Sequence, residues 1–278
     1  MCLIAFAINA SPRWSLVVAS NRDEFFNRPT LALSRWKTAS GQEVISGRDL
    51  RAGGTWLGVT PSGRVGFLTN VHDPKLKPAL LSRGELVTRW LGCSSTVDEY
   101  SARLQTCSAA YDGFNLVLGD LQRNAWKWMT NRSAAPGSGW HAHALSAGVY
   151  GLSNASLDTP WPKTLELKRA LSAALLRAHE SGSLCKPLWS ALASQAQTQC
   201  AKLPGTSLFQ FTEPTLSSAF VNIPQHAYGT RSSTVLVVRR DQKQLLVNPH
   251  RIEVEERTYT RGCSDEKFPS FSTSRLIS

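Results

Sequence analysis

No apolar run in this chain approaches the roughly 20 residues that a helix needs to cross a bilayer. The longest, Leu3–Ile8 and Leu16–Ala19, fall far short of it. A secretory leader would need a basic segment before its apolar stretch, and here Arg13 comes after it. The expectation is a soluble, cytoplasmic protein with no transmembrane segment. There is no CxxC pair and no metal-ligand spacing, which argues against a disulfide framework or a zinc site. The six cysteines (Cys2, Cys93, Cys107, Cys185, Cys200 and Cys263) are expected to be free thiols in a reducing compartment. No basic block with interleaved aromatics appears, although the net charge is +11. Nucleic acid is therefore not an expected partner; the excess reads as a solvated basic surface or a preference for anionic small molecules. Gly53-Gly54-Thr55-Trp56 lacks the GxxxxGK[ST] pattern of a phosphate loop and reads as a tight turn, with Trp56 lining a pocket. Repeats, low-complexity tracts and linkers are missing, so one domain over 1–278 is expected, with 261–278 as a loose tail.

What is present is a succession of strand and helix signals. Residues 2–9 (CLIAFAIN) and 14–20 (WSLVVAS) are apolar runs separated by Ser11-Pro12, the pattern of a buried hairpin. Two further strands fall within 53–70, with Pro61-Ser62-Gly63 turning between them. Ser82 to Glu85 and Thr96 to Glu99 each have the form of a capping box opening a helix. Phe114–Gly119 and Ala125–Met129 read as another hairpin. Leu167, Leu171, Ala174 and Leu175 share one helical face, behind Thr159 as N-cap. A second helix is expected over 187–199, then strands at 219–223, 233–239, 244–248 and 252–260. Strands, helices, strands, helices, strands is an α+β order with antiparallel sheets and segregated helices.

Position singles out Cys2. Removal of the initiator methionine, usual before a small residue, would join a thiol to a free α-amine. That amine has an ordinary pKa of about 7.7–8.0 and can serve as a general base; the thiolate is a strong nucleophile. The other reading of Cys2 is a small buried residue on a first strand. Asn21-Arg22-Asp23-Glu24 follows the second strand. It reads either as a solvated loop end or as a charged cluster beside Cys2, with a carboxylate that orients the amine.

The motifs MCLIAFAIN, ASNRDEFFNRP, GRDLRAGGTWLGV, GFLTN, YGLSNASLDTPWPK, YGTRSSTVL and EERTY run in order from residue 2 to about 260. They resemble the NRDE, or transport and Golgi organisation, family, named for the tetrad Asn21–Glu24. That resemblance implies links with Golgi organisation, lipid and acyl-CoA metabolism and haem trafficking. The same residues are similar to the choloylglycine hydrolases and penicillin V acylases. This second resemblance implies a four-layer αββα sandwich of the N-terminal-nucleophile type, mainly antiparallel. It carries Cys2 over as nucleophile, Asp23 as the carboxylate at the α-amine, Asn70 and Asn154 as oxyanion or positioning groups, and Arg231 as the late arginine. Asn21, Arg22, Trp56 and Thr69 are the accompanying substrate-binding candidates. Ser20 stands where that group's strand element has arginine; Arg22, two residues on, shares its face if the strand continues.

Two functions fit these residues. One is a cysteine amidohydrolase or acyltransferase acting on an amide or thioester of a small anionic or amphiphilic molecule, with no cofactor or metal. The other is a non-catalytic carrier of haem, lipid or acyl-CoA on the same scaffold. His141 and His143 would share a strand face and are candidates for a metal or haem contact; the absence of CxxCH argues against covalent haem.

Overall fold

The computed structural model describes residues 2–71, 81–132, 139–197, 217–240, 250–260 and 270–278. β1 (Cys2–Ile8) and β2 (Trp14–Phe25) form the expected hairpin. β3 (Thr30–Lys37) and β4 (Glu43–Asp49) follow, then β5 (Leu57–Val59) and β6 (Arg64–Asn70). Helices α1 (Gly84–Gly92) and α2 (Val97–Cys107) precede β7 (Phe114–Asp120), β8 (Ala125–Thr130), β9 (His141–Ala144) and β10 (Gly148–Leu152). α3 (Pro162–Arg177) and α4 (Ser181–Leu192) come next, and β11 (Asn222–Ile223), β12 (Tyr228–Arg240), β13 (His250–Thr260) and β14 (Ser270–Ile277) close the chain.

The strands make two seven-stranded antiparallel sheets. One runs β10-β1-β2-β12-β13-β14, with β11 on β12; the other runs β3 to β9 in sequence order. Alternation sorts the side chains into layers. On β1, Ile4, Phe6 and Ile8 point between the sheets and meet Phe67, Val65 and Val117. Leu3, Ala5 and Ala7 point the other way, onto Leu167 and Leu171 of α3 and Leu184 and Leu188 of α4. Being covered on both faces is why β1 is apolar throughout. The second sheet turns Leu68, Leu116 and Leu118 outward onto Leu86, Val87, Trp90 and Leu104 of α1 and α2. The result is the αββα sandwich.

Several boundaries differ from the sequence expectation. β2 runs five residues beyond Ser20, through the whole tetrad. β3 and β4 carry no clear sequence signal because β3 is a half-exposed strand with Leu33 its one buried residue. Thr96 makes its capping box, but Ser82 does not: Arg83 is the N-cap of α1, without a side-chain cap bond. The first-turn N–H groups of Glu85 and Leu86 are taken by the Ser82 and Arg83 carbonyls instead. Trp161, not Thr159, caps α3. α4 starts at Ser181 and carries Pro187 inside it, where sequence rules place a start. The expected tail contains β14, paired along β13 from Glu253 to Thr260. The strand expected over 244–248 lies outside the described residues.

Glu256, on β13, joins the layers. Its Oε1 accepts the Leu33 N–H at 2.7 Å, and it is 1% exposed. Burial pushes its carboxyl above the usual range, against the hydrogen bonds it accepts. The folded state thus holds this proton more tightly than the unfolded chain. That contribution is complete below the ordinary glutamate range and is lost as pH rises through the folded value. Glu256→Gln keeps the acceptor without the charge. It should raise Tm at neutral pH by about 2–4 °C, the effect of ~1 kcal/mol in a chain of this size. The gain should shrink as the pH falls toward the ordinary glutamate range. A pH series of thermal melts checks it; a gain that does not change with pH would contradict the assignment.

Candidate active site

β1 and β2 set the nucleophile. Cys2 lies directly opposite Arg22 in the β1–β2 register, and its carbonyl accepts from the Ser153 hydroxyl at 3.0 Å. The residue is 6% exposed. It lies in a cleft of about 110 Å³ that is also lined by Arg22, Asp23, Glu24, Arg28, Asp49, Trp56, Asn70 and Arg83. Burial pushes the Cys2 thiol above its ordinary range, and the Asp23 charge adds to that.

Because β2 continues through the tetrad, Arg22 reaches the cleft that Ser20 cannot. Ser20 is buried between Ile4 and Thr234 of the flanking strands. The Arg22 guanidinium lies 4.3 Å from the Trp56 ring centroid, 3.6 Å from Asp49 Oδ2 and 3.9 Å from Glu24 Oε2. Trp56 has room there only because residue 47 is glycine: a Cβ on Gly47 would sit 2.5 Å from the indole. Asp49 also accepts from Arg28 Nε at 2.8 Å. Burial would raise its carboxyl, but the bonds from Arg28 and the Ala52 N–H hold it below the usual range. Arg48, next to Asp49 in the chain, donates to the Gly53 carbonyl and stacks on Trp36.

Asp23 is 4% exposed and accepts from the Thr230 hydroxyl at 2.7 Å. Burial pushes its carboxyl up; Lys163 and Thr230 are among the groups that oppose this. Lys163, in the first turn of α3, is 2% exposed. Burial lowers its ammonium, while Asp23 and Cys2 pull it back. A buried amine and a buried carboxyl group thus interact electrostatically with Cys2 and with each other. At the cleft's other side, Asn154 Nδ2 donates to the Asn70 carbonyl at 2.8 Å, and Asn154 Oδ1 is 3.1 Å from Ser153 Oγ.

A sequence model described as Transport and Golgi organisation 2 matches residues 1–260. The chain belongs to the Transport and Golgi organisation 2 family. The mouse (Mus musculus) homologue of that name is 33% identical over 254 residues, covering 86% of this chain and 88% of the relative. The Drosophila melanogaster protein is 29% identical over 263 residues, covering 87% and 89%. Among solved structures, the chain is similar to a Caenorhabditis elegans N-acylethanolamine-hydrolyzing acid amidase orthologue, at 12% identity and TM-score 0.47, covering 85% of this chain and 92% of that one. It is also similar to a mutant conjugated bile acid hydrolase from Clostridium perfringens, at 8% identity and TM-score 0.48, covering 99% and 96%.

In this member of the Transport and Golgi organisation 2 family, five expected site residues line one cleft: Cys2, Arg22, Asp23, Trp56 and Asn70. Asn154 stands behind Asn70. Thr69 is fully buried and donates to the Ser153 carbonyl, with Asn115 donating to Thr69 at 3.2 Å. It supports the residue that pins Cys2 and does not line the cleft. Asn21 faces the helices: its Nδ2 donates to the Leu192 and Ala219 carbonyls, both at 2.8 Å. Alternation on β2 sends it to the opposite side from Arg22, so the cleft is closed to it. Arg231 sits at a bulge in β12 and donates to the Phe25, Phe26 and Arg28 carbonyls, holding the turn that presents Arg28. His141 and His143 do share a face, with ring centroids 5.5 and 5.0 Å from that of Trp128. No cluster of metal-binding side chains occurs among the described residues. Arg28, Asp49, Arg83 and Lys163 were not anticipated as site residues, although each lies in or beside a motif already singled out.

Proposed function

We propose that this protein is an N-terminal-nucleophile amidohydrolase or acyltransferase, cleaving an amide or thioester of a small molecule through Cys2. The observation that carries this reading is the placement of Cys2: a thiol on a core strand, in a polar cleft, facing a fixed guanidinium and adjoined by a buried carboxylate. In this scheme Met1 is removed and bares the Cys2 α-amine. Sγ attacks the carbonyl carbon as its proton passes to that amine. The amine returns the proton to the leaving nitrogen or sulfur when the C–N or C–S bond breaks. Water or an acceptor amine then takes the acyl group from Cys2 and restores the thiol. Burial keeps the thiol protonated, so an adjacent base is required. Asp23 steadies the ammonium between transfers. In this scheme Asn70, whose carbonyl accepts from Asn154, donates its side-chain N–H to the oxyanion. The scheme uses no cofactor, and a free thiol suits a reducing cytoplasm.

A carrier reading draws on a different place. An apolar cavity of about 450 Å³ lies between α1, α2 and the β3–β4 turn, lined by Leu86, Tyr100, Leu104 and Tyr111 among others. That volume is within the range of small-ligand sites.

Intact mass before and after a small electrophile separates the two. Loss of Met1, with Cys2 modified at least about tenfold faster than the exposed Cys107, is the expected result. A retained Met1 or an inert Cys2 would remove the base or the nucleophile, leaving the carrier as the better account.

A further inference from the structure

Among the described lysines, Lys163 alone is buried, at 2% exposed. It stands in the first turn of α3, with its Nζ 5.7 Å from the centroid of the Trp161 ring. An ammonium taken out of water needs a counter-charge close by. The groups that sustain its charge against burial are Asp23 and Cys2. Lys163 in turn helps to keep the buried Asp23 carboxyl ionised. The reaction scheme above gives this lysine no task.

Alternation along the strands shows how the two groups meet. On β2, Val17 and Ala19 pack on the helices, and Asn21 reaches the end of α4. Asp23 has the same parity, so its carboxyl is turned to the helix side, where Thr230 donates to it at 2.7 Å. Cys2 has the parity of Ile4 and Phe6, which lie between the sheets. As the first residue of β1 it lies opposite Arg22, so Asp23 stands one residue beyond the end of that strand. With Met1 removed, the Cys2 α-amine is at that end. The thiol is then on one side of the sheet, and Asp23 and Lys163 are on the other. The remaining charged groups near Cys2 line the cleft: Arg22, Glu24, Arg28, Asp49 and Arg83. Tyr228 of β12 is close as well, and burial keeps its hydroxyl protonated.

We propose that Lys163 is a positioning residue for the reaction at Cys2: it is the counter-ion of Asp23, and so leaves the Cys2 α-amine free to take the thiol proton. A buried carboxylate facing the amine alone would fix a proton on it, because a nearby opposite charge favours the charged form. An amine that already holds its proton cannot act as a base. With Lys163 supplying one positive charge to Asp23, a second is held less firmly, and the amine starts the cycle neutral. Once the thiol proton has moved to the amine, Asp23 steadies the new ammonium and Lys163 keeps it easy to discharge onto the leaving group. A buried ion pair adds little to stability over apolar residues of similar volume. Its effect here is on the proton balance beside the nucleophile. The inference rests on Cys2 being the nucleophile and its α-amine the base.

The pH dependence of Cys2 alkylation by iodoacetamide, mapped by peptide mass spectrometry, tests this without a known substrate. Lys163→Met should move the midpoint up by about one pH unit or more. Lys163→Arg keeps the charge and should stay near the wild-type midpoint. In an Asp23→Asn background Lys163 has lost its counter-ion and is neutral, so Lys163→Met should add little there. A loss of packing alone would not produce that pattern. Lysine labelled with ¹⁵N at Nζ supplies an arm that decides the matter if Lys163→Met fails to fold. The buried Lys163 should give an ammonium signal near neutral pH, and Asp23→Asn should remove it. A midpoint that stays or falls in Lys163→Met, or an ammonium signal untouched by Asp23→Asn, overturns the role of Lys163 and leaves Cys2 as nucleophile. A wild-type Cys2 that does not react at any pH overturns both.

Discussion

Cys2→Ala is expected to lower turnover of an amide or thioester substrate by at least about 10⁴, the scale on which enzymes lose a covalent nucleophile. The fold should survive. Alanine fits the site of a residue only slightly larger, and the backbone of residue 2 stays bound to β2 and to the Ser153 hydroxyl. Alanine is also small enough for Met1 to be removed, so the variant keeps its α-amine and isolates the sulfur. Cys2→Ser is the sharper companion. It retains a hydroxyl, but one far less acidic than the thiol, and should leave only a trace of activity. Single-turnover assays on a panel of N-acyl amino acids and acyl thioesters provide the measurement. An alanine variant retaining more than about a hundredth of wild-type turnover would show that the nucleophile lies elsewhere.

The second large effect is on stability. Asn21→Leu should destabilise the fold by about 3–5 kcal/mol, because each buried polar group left without a partner costs about 1–3 kcal/mol. Asn21 is fully buried and makes three bonds: to the Leu192 carbonyl at the end of α4, to the Ala219 carbonyl, and from the Ser233 hydroxyl at 2.6 Å. Leucine fills similar space and orphans both carbonyls. Ser233 retains the Tyr259 hydroxyl at 3.0 Å. The expected fall in Tm is about 8–15 °C for a chain of this length. Below the transition, Cys2 alkylation should proceed as in the wild type. A raised KM with an unchanged Tm would instead return Asn21 to the substrate.

This contrast within one tetrad shows what local sequence conveys. Asn21, Arg22, Asp23 and Glu24 are equally polar, and in the chain they read as one cluster. The period of two along a strand divides them. Arg22 is turned toward Cys2, and Asn21 is turned to α4, where it does the work of a helix tether. Whether the strand continues past Ser20 decides that outcome. Pairing with β12 from Leu16 to Phe25 is what carries it on, and β12 lies some 200 residues later in the chain. Arg83 shows the same limit from another side. In the chain it is the second residue of an apparent capping box. In space it faces the first strand, because α1 packs against the turn at Gly54.

The apolar runs by themselves determined the hairpin of β1 and β2, the helical face of α3 and the position of Cys2 at the head of a core strand. These follow from side-chain period and turn chemistry, which act over a few residues. Only the tertiary structure decided which polar groups share the cleft. Arg28, Asp49 and Arg83 come from separate parts of the chain and line the cleft with Cys2, and Lys163 of α3 interacts with Cys2 and Asp23, only because sheet and helix packing brings them together.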